Sequence, residues 1–256
     1  MQLQPIVYAI IVVFHPADGQ LKDLLEAISA QVARIILIDN TPGADPANSY
    51  PAGLNIESLS NNGNIGVAAA QNRGIRVALD AGASHVLLLD QDSLPAPDMV
   101  QKLLDAETAL NNNGRPFSCV GPLTIDPRDG HQSPFKRFRG WDRESIDCPE
   151  NKKAGDDAGL NGIVRASYLI SSGLLIRRSI LEQCGGMLEA LFIDYVDFEW
   201  CFRCQSMGFA PYGVCDAVLS HMIGDRLAPA SRNDPGQPIH SPARAYYQLR
   251  NTIFLY

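Results

Sequence analysis

Val86-Leu87-Leu88-Leu89-Asp90-Gln91-Asp92 decides the fold class of this chain: an apolar run of strand length leads straight into two carboxylates one residue apart. In α/β sheets ligands collect beyond the carboxyl ends of the strands, so this stretch reads as a strand delivering acid to a site. Upstream, residues 67–81 are Ala-rich with apolar side chains at 67, 70, 75, 78 and 79, a helical spacing, and Gly82 stands at the C-cap. Earlier still, residues 6–14 form an Ile- and Val-rich strand, Leu21, Leu24, Leu25 and Ile28 mark a helix, and residues 35–38 form a strand ending on Asp39-Asn40. A short strand at residues 54–59 is punctuated by Asn61-Asn62-Gly63. Downstream, a helix runs from Pro97 to Leu110 and stops at the polar residues 111–114. Strands alternating with helices predict an α/β fold around a mixed, mostly parallel central sheet flanked by helices.

Residues 126–160 break the rhythm, with Gly and Pro scattered among charges of both signs. A stretch of that length without periodicity is either an ordered functional loop or a mobile one. Order resumes at residues 164–176, followed by a short helix to Cys184, a Gly185-Gly186 turn and a helix holding residues 194–207. A last strand covers residues 217–221, and a Pro-rich loop follows over residues 227–242.

The 256 residues are 46% hydrophobic and 19% charged, which excludes a disordered chain. With 28 acidic and 21 basic side chains the net charge is -7, so the chain lacks the broad basic surface that binds nucleic acid; Lys136-Arg137 with Arg139 is a short cluster only. Residues 6–14 are about half of a membrane-spanning length and lack the flanks of a signal peptide. Among the six cysteines only Cys201 and Cys204 form a Cys-x-x-Cys pair, so the cysteines read as reduced thiols of a cytosolic protein.

Three strand ends offer ligand groups: Asp39, the Asp90/Asp92 pair, and His221. An Asp-x-Asp can turn both carboxylates toward one hard cation, as a diphosphate-bridging ion requires; the everyday alternative is a helix-start turn ahead of Pro97. The segment Asn62-Gly63-Asn64-Ile65-Gly66, continuing through Asn72, Arg73 and Gly74, lets backbone approach a ligand closely or packs a small-residue helix against its neighbours. It is neither a dinucleotide fingerprint nor a Walker motif. Asp194, Asp197 and Glu199 place three carboxylates within six residues, more than helix capping needs, and one of them could serve as a general base.

With these residues in view, the chain resembles the inverting family 2 glycosyltransferases of the nucleotide-diphospho-sugar (GT-A) fold, and within them the bacterial rhamnosyltransferases that build O-antigen and related polysaccharides. The likeness runs from residues 10–14 through Asp39-Asn40, residues 62–74, Asp90-Gln91-Asp92, Ser171-Ser172-Gly173, residues 192–203 and His221 to Tyr246-Tyr247-Gln248-Leu249-Arg250-Asn251. It implies one GT-A domain over residues 1–256, with a nucleotide-sugar-binding half at 1–125 and an acceptor and catalytic half at 126–256.

By position, the resemblance assigns Asp39, Asn40, Asn62, Gly63, Gly66, Asn72, Arg73, Asp90 and Gln91 to the nucleotide sugar, and Asp92 with His221 to a Mg²⁺ or Mn²⁺ ion. Asp197 matches the catalytic base, and Asp194, Glu199, Trp200, Gly173 and Arg250 shape the sugar or acceptor pocket. The implied donor is dTDP-L-rhamnose, with galactofuranosyl, galactosyl and glucosyl donors as alternatives inside the family and a non-catalytic nucleotide-sugar-binding protein outside it. The implied acceptor is a glycan or lipid-linked glycan at the inner face of the cytoplasmic membrane, reached by peripheral attachment. Phe135, Phe138 and Trp141, among basic residues, are placed to meet acceptor or membrane. Residues 244–256 read as an amphipathic helix without a terminator, so the natural chain is expected to continue, into helices that help it reach the membrane.

Overall fold

A computed structural model describes residues 4–43, 50–51, 53–140, 142–148, 160–222, 226–227, 238–239 and 241–255. Its first half is built from β1 (Val7–Val13), α1 (Asp18–Ser29), β2 (Arg34–Asp39), β3 (Ile56–Ser60), α2 (Val67–Asp80), β4 (His85–Asp90), β5 (Ser93–Pro95), α3 (Met99–Asn112) and β6 (Phe117–Ile125). The second half adds β7 (Phe135–Arg139), β8 (Asp142–Ile146), β9 (Ile163–Arg165), β10 (Leu174–Arg177), α4 (Arg178–Cys184), α5 (Val196–Ser206), β11 (Ala210–His221) and α6 (Pro242–Leu255).

The main sheet has the order β3-β2-β1-β4-β10-β6-β11-β5, with β9 also on β11. β1 to β4 are mutually parallel, β10 is antiparallel to both of its neighbours, and β6 and β11 therefore point the same way as the first four. Register then fixes the site. Val13 faces Asp39 on one side and Val12 faces Asp90 on the other, so β2 and β4 deliver two carboxylates to the same edge, either side of β1. β5 turns back antiparallel along β11 with Ser93 opposite His221, which carries the segment after Asp90 across the histidine.

Side chains of β1 alternate between two cores, as strand geometry requires. Tyr8 and Ile10 pack with α2, α4 and α5, while Val7, Ala9, Ile11 and Val13 pack with α1 and α3. Gly74 sets the approach of α2, since a Cβ there would stand 2.4 Å from Cγ2 of Ile10. That space is already filled, and adding a methyl would force the helix off the sheet.

Four expectations need correction. The segment from 126 is not without regular structure: β7 and β8 pair as an antiparallel hairpin that lies along residues 165–168 through Ser167 N to Lys136 O at 2.8 Å. Its strands show no apolar alternation because most of the hairpin is exposed, with Phe135 the one buried side chain among its described residues. Asp90 to Ser93 does not open a helix directly, since β5 intervenes and α3 begins only at Met99. The strand that ends on His221 begins at Ala210, well before residue 217, and Arg226–Leu227 pairs with Pro238–Ile239 beyond it. Cys148 and Cys215 form a disulfide across a sequence separation of 67 residues, whereas Cys119, Cys184, Cys201 and Cys204 are free and buried. Such a pairing follows from a contact between the hairpin's exit and β11, not from local spacing. Trp141, most of the Pro-rich loop and Tyr256 lie outside the described residues. Among the described residues no helix is long and apolar enough to cross a membrane.

Candidate active site

Three loops meet at the carboxyl edge of the sheet. At the end of β2, Asp39 is buried and accepts a hydrogen bond from Thr41 N at 2.7 Å, and the phenol of Tyr50 titrates high mainly through burial, with Asp39 adding to the shift. Asn40, also buried, donates to Gly66 O at 3.3 Å and accepts from Asn61 Nδ2 at 2.6 Å. Arg73 reaches back from α2 to Ser60 O at 2.8 Å and to Asn61 Oδ1. The loop carrying Asn62 and Gly63 is thereby wired on both sides, with a left-handed φ of 54° at Asn62 and open space beside Gly63. Gly66 is required for a different reason. Its φ is +86° and a Cβ would lie 2.6 Å from Phe192 Cδ2, while the next residue, Val67, donates its N–H to Phe192 O at 2.7 Å. The loop that begins α2 is thus locked to the loop that precedes α5.

Asp90, Asp92 and His221 each offer a ligand atom, and these atoms lie within 4.8 Å of one another. His221 Nδ1 is 3.4 Å from Asp92 Oδ1 and Nε2 is 3.8 Å from Asp90 Oδ2. Ser93 Oγ lies 3.4 Å from His221 Nδ1 and pairs with Ser172 Oγ. Burial raises the Asp90 carboxyl, with His221 opposing and Asp92 reinforcing the shift. Asp92 goes the other way: burial alone would raise it, but the hydrogen bond and charge of His221 bring it below the ordinary value. His221 is correspondingly raised, its burial outweighed by the two carboxylates. Two carboxylate oxygens and one imidazole nitrogen form a donor set suited to Mg²⁺ or Mn²⁺. Gln91 between them is tied to the end of β1, its amide accepting from Phe14 N at 2.7 Å and donating to Phe14 O at 3.2 Å.

Asp197 sits in the first turn of α5 and is oriented by two backbone N–H groups, Ser171 at 3.2 Å and Phe198 at 2.9 Å. Burial pushes its carboxyl up to about 6; those hydrogen bonds pull it down, and the nearby charge of Asp90 pushes it up again. A carboxylate with this affinity for a proton, beside a cation site, suits a general base. Phe192, Asp194 and Tyr195 all have positive φ, which is why α5 begins at Val196 and not at Asp194. That strained turn is held by α6. Asn251, fully buried, donates to the carbonyls of Leu191, Ile193 and Asp194 at 2.9, 2.8 and 3.0 Å, and Arg244 Nη2 pairs with Asp194 at 3.0 Å.

The remaining expected pocket residues are distributed differently. Trp200 is wholly buried in the core with Nε1 donating to Gly185 O at 2.9 Å, so it supports α5 and presents no surface to a ligand. Glu199 is paired with Arg203 at 2.6 Å on another face of the helix. Asn72 ties α2 to the Gly186–Met187 turn, donating to Met187 O at 2.8 Å and accepting from Met187 N at 2.7 Å. Arg250 caps the carbonyls of Ala190 and Leu191 at 2.6 and 2.7 Å, and Gly173 allows β10 to pack where a Cβ would meet Pro122 at 2.5 Å. The contacts of Asn61, Ser172, Arg244 and Asn251 have no local pattern in the sequence, although each residue falls in a stretch named above.

Residues 9–185 match the sequence profile of glycosyl transferase family 2. The chain is 31% identical over 253 residues to the dTDP-rhamnosyl transferase RfbF of Shigella flexneri, covering 97% of this chain and 79% of that protein. It is 23% identical over 252 residues to the low-salt glycan biosynthesis hexosyltransferase Agl10 of Haloferax volcanii, covering 96% and 76% respectively. A crystal structure of GalNAc-T7 with UDP, GalNAc and Mn²⁺ superposes with a TM-score of 0.65 at 16% identity, covering 87% of this chain. This chain spans 45% of that larger protein, and the likeness establishes a shared GT-A fold. Profile, sequence relatives and sheet architecture agree: the chain belongs to glycosyl transferase family 2.

Proposed function

We propose that this glycosyltransferase moves L-rhamnose from dTDP-L-rhamnose to a hydroxyl of a cell-surface glycan, with inversion at the anomeric carbon. The observation that carries the reading is the juxtaposition of a carboxylate of raised proton affinity, Asp197, with the Asp90, Asp92 and His221 cluster. The relative named a dTDP-rhamnosyl transferase supports the choice of donor.

Asp39, Asn40 and the loop of residues 61–66 hold the nucleoside in this reading, and residues 1–125 act as the donor half. A divalent ion held by Asp90, Asp92 and His221 would offset the charge that builds on the departing dTDP. Asp197 takes the proton of the acceptor hydroxyl as that oxygen forms its bond to the anomeric carbon. The two backbone N–H groups keep the carboxylate aimed before the acceptor arrives, so little reorganisation accompanies proton transfer. A single displacement with base and leaving group on opposite sides of the sugar inverts the configuration. The acceptor in this account is an O-antigen-like glycan, free or lipid-linked, used by a cytoplasmic enzyme attached peripherally to the membrane.

The test is turnover of a panel of nucleotide sugars, each with Mg²⁺ and with Mn²⁺. Selective use of dTDP-L-rhamnose is expected. Selective use of a galactofuranosyl, galactosyl or glucosyl donor would replace the donor assignment, as the hexosyltransferase relative would then favour. Binding without turnover of any donor would reject the enzymatic reading.

A further inference from the structure

The β7–β8 hairpin departs from the charge balance of the chain. In a protein of net charge -7, Lys136, Arg137, Arg139 and Arg143 on this hairpin outnumber its Asp142 and Glu144, and Arg165 follows on the adjoining β9. A cavity of about 480 Å³ opens among them, lined by Arg137, Phe138, Arg139, Arg165 and Gln205. Among the described residues no carboxylate lines it, although Glu144 pairs with Arg139 beside it at 3.2 Å. Its walls are anchored to the main chain: Arg137 Nε and Nη2 donate to Arg165 O at 3.1 and 2.8 Å, Gln205 Nε2 donates to Ser167 O at 2.6 Å, and Phe138 N donates to Ser167 Oγ at 2.8 Å. The cavity is distinct from the Asp90, Asp92 and His221 cluster, none of whose residues it includes.

A second observation connects the cavity to the chemistry. Phe198, next to Asp197, stacks on Tyr168 with ring centroids 3.7 Å apart, and Phe138 lies 6.1 Å beyond Tyr168. Phe138 is also 6.1 Å from Phe202, and these two rings are 36% and 44% exposed. A strip of aromatic faces therefore leads from the base to the arginines, ending in an exposed apolar rim. Such a strip provides flat stacking surface for a sugar ring, and the rim suits an attached hydrocarbon chain.

We propose that the cavity walled by Arg137, Arg139 and Arg165 is an anion subsite for the acceptor, binding a diphosphate group while the acceptor sugar lies along Phe138, Tyr168 and Phe198. This placement rests on the assignment of Asp197 as the base. Guanidinium groups present planar forks of donors that match phosphate oxygens two at a time, and two linked phosphates draw Arg139 from its exposed pair with Glu144 more strongly than a lone carboxylate does.

Calorimetric titration of the full chain with decyl diphosphate in EDTA tests the subsite, because without a divalent ion the acidic cluster offers an anion nothing. Saturable binding is expected, weakened at least about tenfold by the double substitution Arg139→Ala with Arg165→Ala and unchanged by Asp92→Ala. The double variant should keep wild-type affinity for dTDP with Mg²⁺, which shows that it folds. Decyl glucuronide, an anion through its carboxylate, and neutral decyl maltoside should bind at least about tenfold more weakly than decyl diphosphate. Absence of binding, binding indifferent to the arginines, loss with Asp92→Ala, or equal binding of the glucuronide would each overturn the proposal. Were no donor turned over while decyl diphosphate still bound through the arginines, the anion site would stand and the functional reading alone would fail.

Discussion

Asp197→Asn should abolish sugar transfer and, above pH 6, make the folded protein more stable. Folding moves this carboxyl from its ordinary value of 3.8 to about 6, because burial outweighs the two backbone hydrogen bonds. About two units at 1.36 kcal/mol each amount to about 3 kcal/mol that the ionised side chain costs the native state above pH 6. Asn is neutral and keeps one acceptor oxygen, so one of the N–H groups of Ser171 and Phe198 loses its partner, at about 1 kcal/mol. The net gain is about 2 kcal/mol, and for a chain of this size that raises Tm by roughly 4–8 °C. The sign follows from proton uptake: the native state holds the proton more tightly than the unfolded chain, so the penalty is fully present above pH 6, shrinks as pH falls, and is gone below about pH 4. Thermal unfolding of both proteins from pH 4 to 8 reads it directly, alongside dTDP binding, which should be retained. A variant no more stable than wild type at pH 8, or a difference that does not change with pH, would refute the assigned burial of this charge. Wild-type kcat/KM should correspondingly fall about tenfold per unit below pH 6.

Asp92→Ala should remove the metal dependence of dTDP binding, measured by titration with Mg²⁺ or Mn²⁺ and with EDTA; an unchanged dependence would reject the donor set. Gly66→Ala adds a Cβ 2.6 Å from Phe192 at a φ of +86°, and should cost about 3 kcal/mol of stability in denaturant unfolding together with most nucleotide affinity. Asn251→Ala takes the amide from the carbonyls of Ile193 and Asp194, while Leu191 O keeps Arg250, and should lower stability by about 2–4 kcal/mol, with kcat falling more than donor affinity because the turn ahead of Asp197 loosens. Reduction of Cys148–Cys215, which closes a loop of 67 residues, should remove about 4 kcal/mol by chain entropy, seen as a Tm drop of roughly 10 °C with dithiothreitol that Cys148→Ser reproduces.

Much of the fold was legible because its signals are local. The apolar runs at β1, β2 and β4 and the Ala-rich period of α2 each declare their element, and parallel pairing then obliges Asp39 and Asp90 to share an edge. The Asp90, Asp92 and His221 cluster was half legible from the residues alone: Asp90-Gln91-Asp92 is a contiguous signal, but His221 joins it through the pairing of β5 with β11, a contact across 128 residues between Ser93 and His221. Trp200 and Glu199 were misplaced for a related reason. Glu199, two residues after Asp197, turns about 200° away on α5, whereas Trp200, three residues on, falls within about 60° of Asp197 but is buried in the core. The disulfide and the clamp of α6 on residues 191–194 are tertiary contacts with no local pattern. Positive φ at Phe192 and Tyr195 could not be anticipated, since bulky aromatic residues do not favour it, whereas Asp194 is a residue type that tolerates it.

The central claim is a single displacement with Asp197 opposite the departing nucleotide, and the anomeric configuration of the product tests it most directly. Proton NMR of the first-formed glycoside, taken before any isomerisation of free sugar, should show the anomer opposite to that of the nucleotide-linked donor. A product that retains the donor's configuration would require two displacements and a nucleophile on the enzyme, and would contradict the account.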